Sequence, residues 1–102
     1  WEYHEGLDIA ASYGTPVKAA GAGKVVFAGW KPAYGRTVVI NHGYGYTSQY
    51  AHNSSIAVRV GEVVKRGQVI ARVGNTGRST GPHLDFRITY NGRFVDPRKI
   101  LK

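Results

Sequence analysis

Short runs rich in Val, Ile, Tyr and Phe alternate along this chain with glycine-bearing breaks, and inside the runs apolar and polar residues trade places every one or two positions. A period near two residues is that of half-buried strands, and the glycines supply the tight turns between them. The pattern predicts strands at residues 7–11, 23–30, 37–41, 46–52, 57–60, 69–73, 83–90 and 93–95. No window sustains a helical period beyond about two turns. Asn91-Gly92 separates two of these runs and predicts a two-residue hairpin, because both positions tolerate positive φ. Residues 21–29 and 65–74 share a layout of glycine, polar residue, apolar run and glycine, one strand type used twice and too brief for a repeat protein. The expected class is all-β: a compact antiparallel sheet or flattened barrel-sandwich, with loops 31–36 and 75–82 at its rim.

Length and composition narrow the picture. At 102 residues the chain suffices for one domain, residues 1–102, and is too short for two. It begins at Trp1 rather than Met, as a domain excised from a longer protein would. Without Cys or Met, any metal must be held by His and carboxylate, and no disulfide framework is available. The formal charge of +8 favours polyanionic surroundings. The cations are dispersed from Lys18 to Lys102 with no arginine-rich arm, which argues against specific nucleic-acid binding. No apolar stretch approaches the length of a membrane span, and no signal-peptide pattern opens the chain.

Three segments each offer a His on one strand face. Side chains two or four residues apart in a strand point the same way, so His4 can converge with Asp8, His83 with Asp85, and Tyr50 with His52. Zinc accepts such nitrogen and oxygen donors, and hydrolysis at a zinc site needs imidazoles nearby to move protons. Three of the 4 histidines lie in these segments. The ordinary role of a strand His is a surface residue or a satisfied hydrogen-bond partner, and His42, at a strand end before a Gly-Tyr-Gly turn, keeps that reading. The glycine-rich loop 74–82 precedes His83 and does not match a phosphate-cradling loop, which ends in Lys-Ser or Lys-Thr. Spacing alone leaves a metal site open.

A longer set of residues is more specific. It comprises His4-Glu5-Gly6-Leu7-Asp8-Ile9-Ala10-Ala11, Gly14-Thr15-Pro16-Val17-Lys18-Ala19-Ala20, Gly23-Lys24-Val25-Val26-Phe27-Ala28-Gly29-Trp30 and Gly35-Arg36-Thr37-Val38-Val39-Ile40-Asn41-His42-Gly43. It continues through Tyr50-Ala51-His52, Val60-Gly61, Val64-Lys65-Arg66-Gly67-Gln68-Val69-Ile70 and Gly74-Asn75-Thr76-Gly77-Arg78-Ser79-Thr80-Gly81-Pro82-His83-Leu84. In these residues the chain resembles, over essentially its full length, the peptidoglycan-hydrolysing zinc metallopeptidases of the lysostaphin and LytM type, the M23 family. The resemblance implies one zinc ion held by His4, Asp8 and Asp85, with His52 and His83 as catalytic imidazoles. It implies a peptide of bacterial cell-wall peptidoglycan as substrate and an extracytoplasmic location; the sequence leaves the oligomeric state open, with a monomer favoured. Tyr44, Tyr46 and Tyr50 offer aromatic lining for a peptide groove, although aromatic residues in strands more often pack.

One position departs from that pattern: Asp85 stands where the family carries the last His of a His-x-His motif. Asp is a legitimate zinc ligand, but a second carboxylate would nearly neutralise the dication and make its water less acidic. The competing implication is a non-catalytic module of the same fold that binds peptidoglycan or regulates another cell-wall hydrolase. Segments 16–20, 23–26 and 64–68 also resemble biotinyl and lipoyl carrier domains. The expected hairpin tip, Ile40-Asn41-His42-Gly43-Tyr44-Gly45-Tyr46, lacks the Lys that a carrier needs.

Overall fold

The computed structural model describes residues 6–77 and 81–96, which form nine strands and no helix. These are β1 (Gly6–Ala10), β2 (Pro16–Lys18), β3 (Gly23–Lys31), β4 (Gly35–Gly43), β5 (Tyr46–Ile56), β6 (Val63–Val64), β7 (Val69–Val73), β8 (His83–Tyr90) and β9 (Arg93–Val95). Accordingly, among the described residues no helix is long and apolar enough to cross a membrane. The all-β class agrees with the expectation from sequence. All pairings are antiparallel, in the order β1-β8-β5-β4-β3-β6, and the two ends of this path do not pair, so the sheet stays open.

Strand β5 is the hub. One of its edges carries β4; the other carries β8 along residues 46–51 and then β7 along residues 53–56. Strand β8 is shared in the same way, by β1 along residues 83–87 and β9 along residues 88–90. The period-two pattern decides the core: Val38 and Ile40 of β4, Tyr50 of β5, and Phe86 and Ile88 of β8 are buried together with Val17, Val25, Val64, Ile70 and Val73. Tyr50 and Phe86 are direct cross-strand partners with ring centroids 5.4 Å apart. Residues between them in sequence, Ala51 and Asp85, form the next pair and belong to the opposite face.

The strand boundaries differ from expectation in instructive places. Residues 57–60 form no strand: Ala57 still donates its N–H to Ile70 O at 2.9 Å, but the chain then turns, with the Glu62 N–H on Arg59 O and the Gly61 N–H on Val25 O. Strands β2 and β6, of three and two residues, carry too little pattern to be read locally. Strand β5 extends to Ile56 because the polar Asn53-Ser54-Ser55 stretch pairs with β7. The hairpin at Asn91-Gly92 is as expected, with φ of 50° and 82°.

The Tyr50 hydroxyl, deep in the core, accepts the Ala20 N–H at 2.9 Å and hydrogen-bonds the Ser48 hydroxyl at 2.7 Å. Ser48 in turn meets His42 Nε2 at 2.6 Å, while His42 Nδ1–H donates to Ala22 O at 2.7 Å. His42 is therefore a satisfied structural partner, as its sequence context suggested. Burial pushes the Tyr50 phenol above its ordinary value, against the smaller opposing effects of the Ala20 and Ser48 hydrogen bonds. The folded state thus keeps this proton while the unfolded chain loses it near pH ~10, so the Tyr50 contribution to stability is present below that pH and lost above it. Tyr50→Phe, which strands the Ala20 N–H and leaves Ser48 with His42 alone, is expected to cost about 1–3 kcal/mol in urea denaturation near neutral pH. The gap to wild type should narrow above about pH 10, where only the wild type carries the penalty.

Candidate active site

Strands β1, β5 and β8 bring four titratable side chains together on the face opposite Tyr50 and Phe86. Asp8 lies directly across from Asp85 in the β1–β8 register, with Ala10 across from His83. His83 and Asp85, two residues apart on β8, share that face, and His83 Nε2 comes within 3.7 Å of Asp8 Oδ1. His52 Nε2 lies 3.8 Å from Asp85 Oδ2, and the His52 and His83 rings have centroids 4.9 Å apart. His4, the remaining candidate, lies outside the described residues.

His52 reaches this face through an irregularity. Between Val38 and Arg36, β4 advances two residues while β5 advances three, from Tyr50 to Asn53. The extra residue is a bulge, and His52 takes a φ of 65°, an uncommon value for a side chain with Cβ. Regular alternation would have put His52 on the face of Tyr50, as the i, i+2 spacing suggested. Instead Tyr50 points into the core and His52 meets Asp85 and His83. The expectation that Tyr50 and His52 share a face is thereby corrected, and Tyr50 leaves the list of groove residues. Tyr44 is solvent-exposed in the β4–β5 turn, and Tyr46 packs on Tyr90 at 4.7 Å, so neither joins this cluster.

The bulge is held by named contacts. The His52 N–H donates to Tyr34 O at 2.8 Å, and His52 Nδ1–H donates to Thr76 O at 2.6 Å. The Asn53 amide spans the break in the ladder, donating from Nδ2 to Tyr50 O and Arg36 O at 2.9 and 3.0 Å. Thr76 Oγ1 donates to Asn53 O at 2.6 Å and accepts the Arg36 N–H at 3.1 Å. Gly35 and Gly77, both at positive φ, pack backbone to backbone where a Cβ on either would strike the other loop. Loops 32–34 and 74–77 are thus clamped to one another around His52, and residues 78–80 of the rim loop expected at 75–82 lie outside the described residues.

Both imidazoles are anchored in the same way. His83 Nδ1–H donates to Gly81 O at 2.8 Å, as His52 does to Thr76, so each ring turns Nε2 toward the cluster. Asp85 is buried and bound by both arms of a guanidinium: Arg87 Nε donates to Oδ1 at 3.0 Å and Nη2 to Oδ2 at 3.2 Å. Arg87 in turn lies over the rings of Tyr34 and Phe94, 5.0 and 5.4 Å from their centroids. Sequence reading passed over Arg87, although its i+2 spacing from Asp85 placed it on the same face. It also passed over Thr76 and Tyr34, which meet His52 through main-chain carbonyls that no side-chain pattern reveals.

The geometry of two imidazoles and two carboxylates spread over β1, β5 and β8 coincides with a family match. A model of peptidase family M23 matches residues 2–97. The chain belongs to peptidase family M23. Among curated relatives, the peptidoglycan DD-endopeptidase ShyA of Vibrio cholerae is 47% identical over 96 residues, which are 94% of this chain and 22% of ShyA. The M23 domain described here thus spans about a fifth of the length of such relatives. Among solved structures, the catalytic domain of lysostaphin from Staphylococcus simulans superposes with a TM-score of 0.91 at 39% identity, covering 96% of this chain and 78% of that one. A zinc-containing peptidase from Vibrio cholerae gives 0.88 at 45% identity, covering 91% of this chain and 29% of that one.

The donors gathered on this face are imidazole nitrogens and carboxylate oxygens. Among the described residues no three of these donors close into a coordination group. They fit a divalent cation in kind. Asp8 and Asp85 are carboxylates on directly opposed residues of a strand pair, a placement in which both can offer oxygens to one cation. Each Asp85 oxygen also keeps accepting capacity after Arg87 has taken one bond from it.

The clamp around His52 is testable without any assay of activity. Thr76→Val keeps the shape but removes the hydroxyl that joins Asn53 O and the Arg36 N–H, and is expected to cost about 1–3 kcal/mol in chemical denaturation. Faster solvent exchange of the His52 Nδ1 proton, followed by nitrogen-edited NMR, should accompany it; unchanged exchange would contradict the clamp.

Proposed function

We propose that this M23 domain is a zinc-dependent metalloendopeptidase that hydrolyses peptide bonds in the stem or cross-bridge peptides of bacterial peptidoglycan, outside the cytoplasm. The observation that carries the reading is the matched pair His52 and His83, each anchored through Nδ1–H and each presenting Nε2 beside a carboxylate. A peptide-bond hydrolase needs a group to take a proton from water and a group to stabilise or protonate the other side of the reacting centre. The substrate class is supported by ShyA, named a peptidoglycan DD-endopeptidase. A formal charge of +8 favours approach to an anionic wall polymer at low salt.

His4, Asp8 and Asp85 would hold the zinc ion. When bound, zinc supplies Lewis acidity toward the scissile carbonyl and makes water acidic enough to ionise near neutral pH. His52 is the more enclosed of the two imidazoles and takes the water proton at Nε2, its ring fixed by Thr76. His83, more open to solvent beside Asp8, orients the peptide carbonyl side, and the proton taken up by His52 Nε2 is the one that passes to the leaving amine.

Release of soluble peptides from purified peptidoglycan tests the reading. Wild type should digest it, a chelator should abolish digestion and added zinc restore it. His52→Ala and His83→Ala should each lower the rate by about 10²–10⁴-fold, the range for loss of a positioned acid or base. Equal, chelator-insensitive behaviour of all three proteins would leave a binding module in place of an enzyme.

A further inference from the structure

We propose that Arg87 is a positioning residue that turns Asp85 into a formally neutral ligand, so that the departure from His at position 85 leaves the charge of the metal centre unchanged. The inference rests on the zinc reading above and deepens it. A buried carboxylate needs a partner, and Asp85 has one in a two-armed guanidinium contact rather than in solvent. The guanidinium lies over the rings of Tyr34 and Phe94, so the pair is held as a unit. Tyr34 is also the residue whose carbonyl fixes the His52 backbone, which ties the orientation of Asp85 to that of His52. Hydrogen-bonded partners behind a ligating carboxylate orient it and tune the metal it holds.

Charge arithmetic among the described groups makes the role specific. With neutral imidazoles, Asp8 and Asp85 contribute two negative charges and Arg87 returns one, leaving a net charge of −1. A centre with a single carboxylate and a His at position 85 would also stand at −1. Arg87→Gln would bring it to −2, Asp85→His with Arg87 retained to 0, and the double variant Asp85→His/Arg87→Gln back to −1. Arg87→Lys keeps −1 but cannot form the two-armed contact.

Zinc dissociation constants, measured by competition with a chromophoric chelator near pH 8 for the 102-residue chain and these four variants, test the proposal. Affinity should follow charge: Arg87→Gln tightest, wild type, Arg87→Lys and the double variant together, Asp85→His weakest. Successive steps should differ by at least about tenfold, the value for a unit charge one carboxylate away from a dication even in a water-like dielectric. Arg87→Gln should nevertheless digest peptidoglycan about 10–100-fold more slowly than wild type, since it loses both the orientation of Asp85 and the electrophilicity of the centre. Tighter zinc with slower turnover is an outcome that simple loss of structure does not produce. Zinc affinities that ignore charge, or a Gln variant that binds zinc more weakly, would overturn the role given to Arg87 alone. Absence of zinc binding in all five proteins would overturn the metallopeptidase reading together with it.

Discussion

One extra residue in the central strand governs this structure. Strand β5 pairs with β4, β8 and β7, so any break in its alternation is transmitted to most of the sheet. The bulge between Tyr50 and Asn53 sends Tyr50 into the core and His52 to the other face, within two residues of one another. A left-handed backbone at a His costs energy and persists only where its surroundings over-determine it. Here they do, through the Tyr34 carbonyl, the Thr76 carbonyl and the bridging amide of Asn53. The glycines of the two clamped loops serve the same end, because close backbone approach around His52 leaves no room for side chains at Gly35 and Gly77.

The second constraint is electrostatic. Antiparallel register sets Asp8 against Asp85, and strand alternation sets Arg87 beside Asp85. The face therefore collects carboxylates and imidazole acceptors on one side and a held guanidinium on the other. In the proposed metallopeptidase, that arrangement would give an acidic ligand at position 85 a compensating positive charge. Family membership and the positions of His52, His83 and Asp8 point the same way, while the role proposed for Asp85 rests on its neighbour Arg87.

Much of the fold was legible along the chain. The strands at 69–73, 83–90 and 93–95 and the Asn91-Gly92 hairpin follow from local period and turn chemistry, and the structure has them at those residues. What local pattern misses is pairing: Asn53-Ser54-Ser55 lies beyond the strand expected at 46–52 yet extends β5, because β7 supplies partners for its backbone. Residues 57–60 read as a strand yet turn away once the ladder with β7 has ended. The candidate site divides similarly. His83 and Asp85 follow from spacing, whereas Tyr50 and His52, by the same rule, were assigned to one face and lie on two.

The amino-acid order by itself determined the all-β class, the family resemblance and the chemical types available to the site, since these depend on period, turn residues and the absence of Cys. Only the tertiary structure decided which groups meet. Cross-strand register pairs residues some 77 positions apart, Asp8 with Asp85, and no local pattern encodes such a distance. The bulge re-aimed His52 by means of carbonyls on two other loops, and the partner of Asp85 became known only once Arg87 was found on both of its oxygens. Sequence fixes the identity of each donor and acceptor, but the electrostatics of a buried group belong to its neighbours.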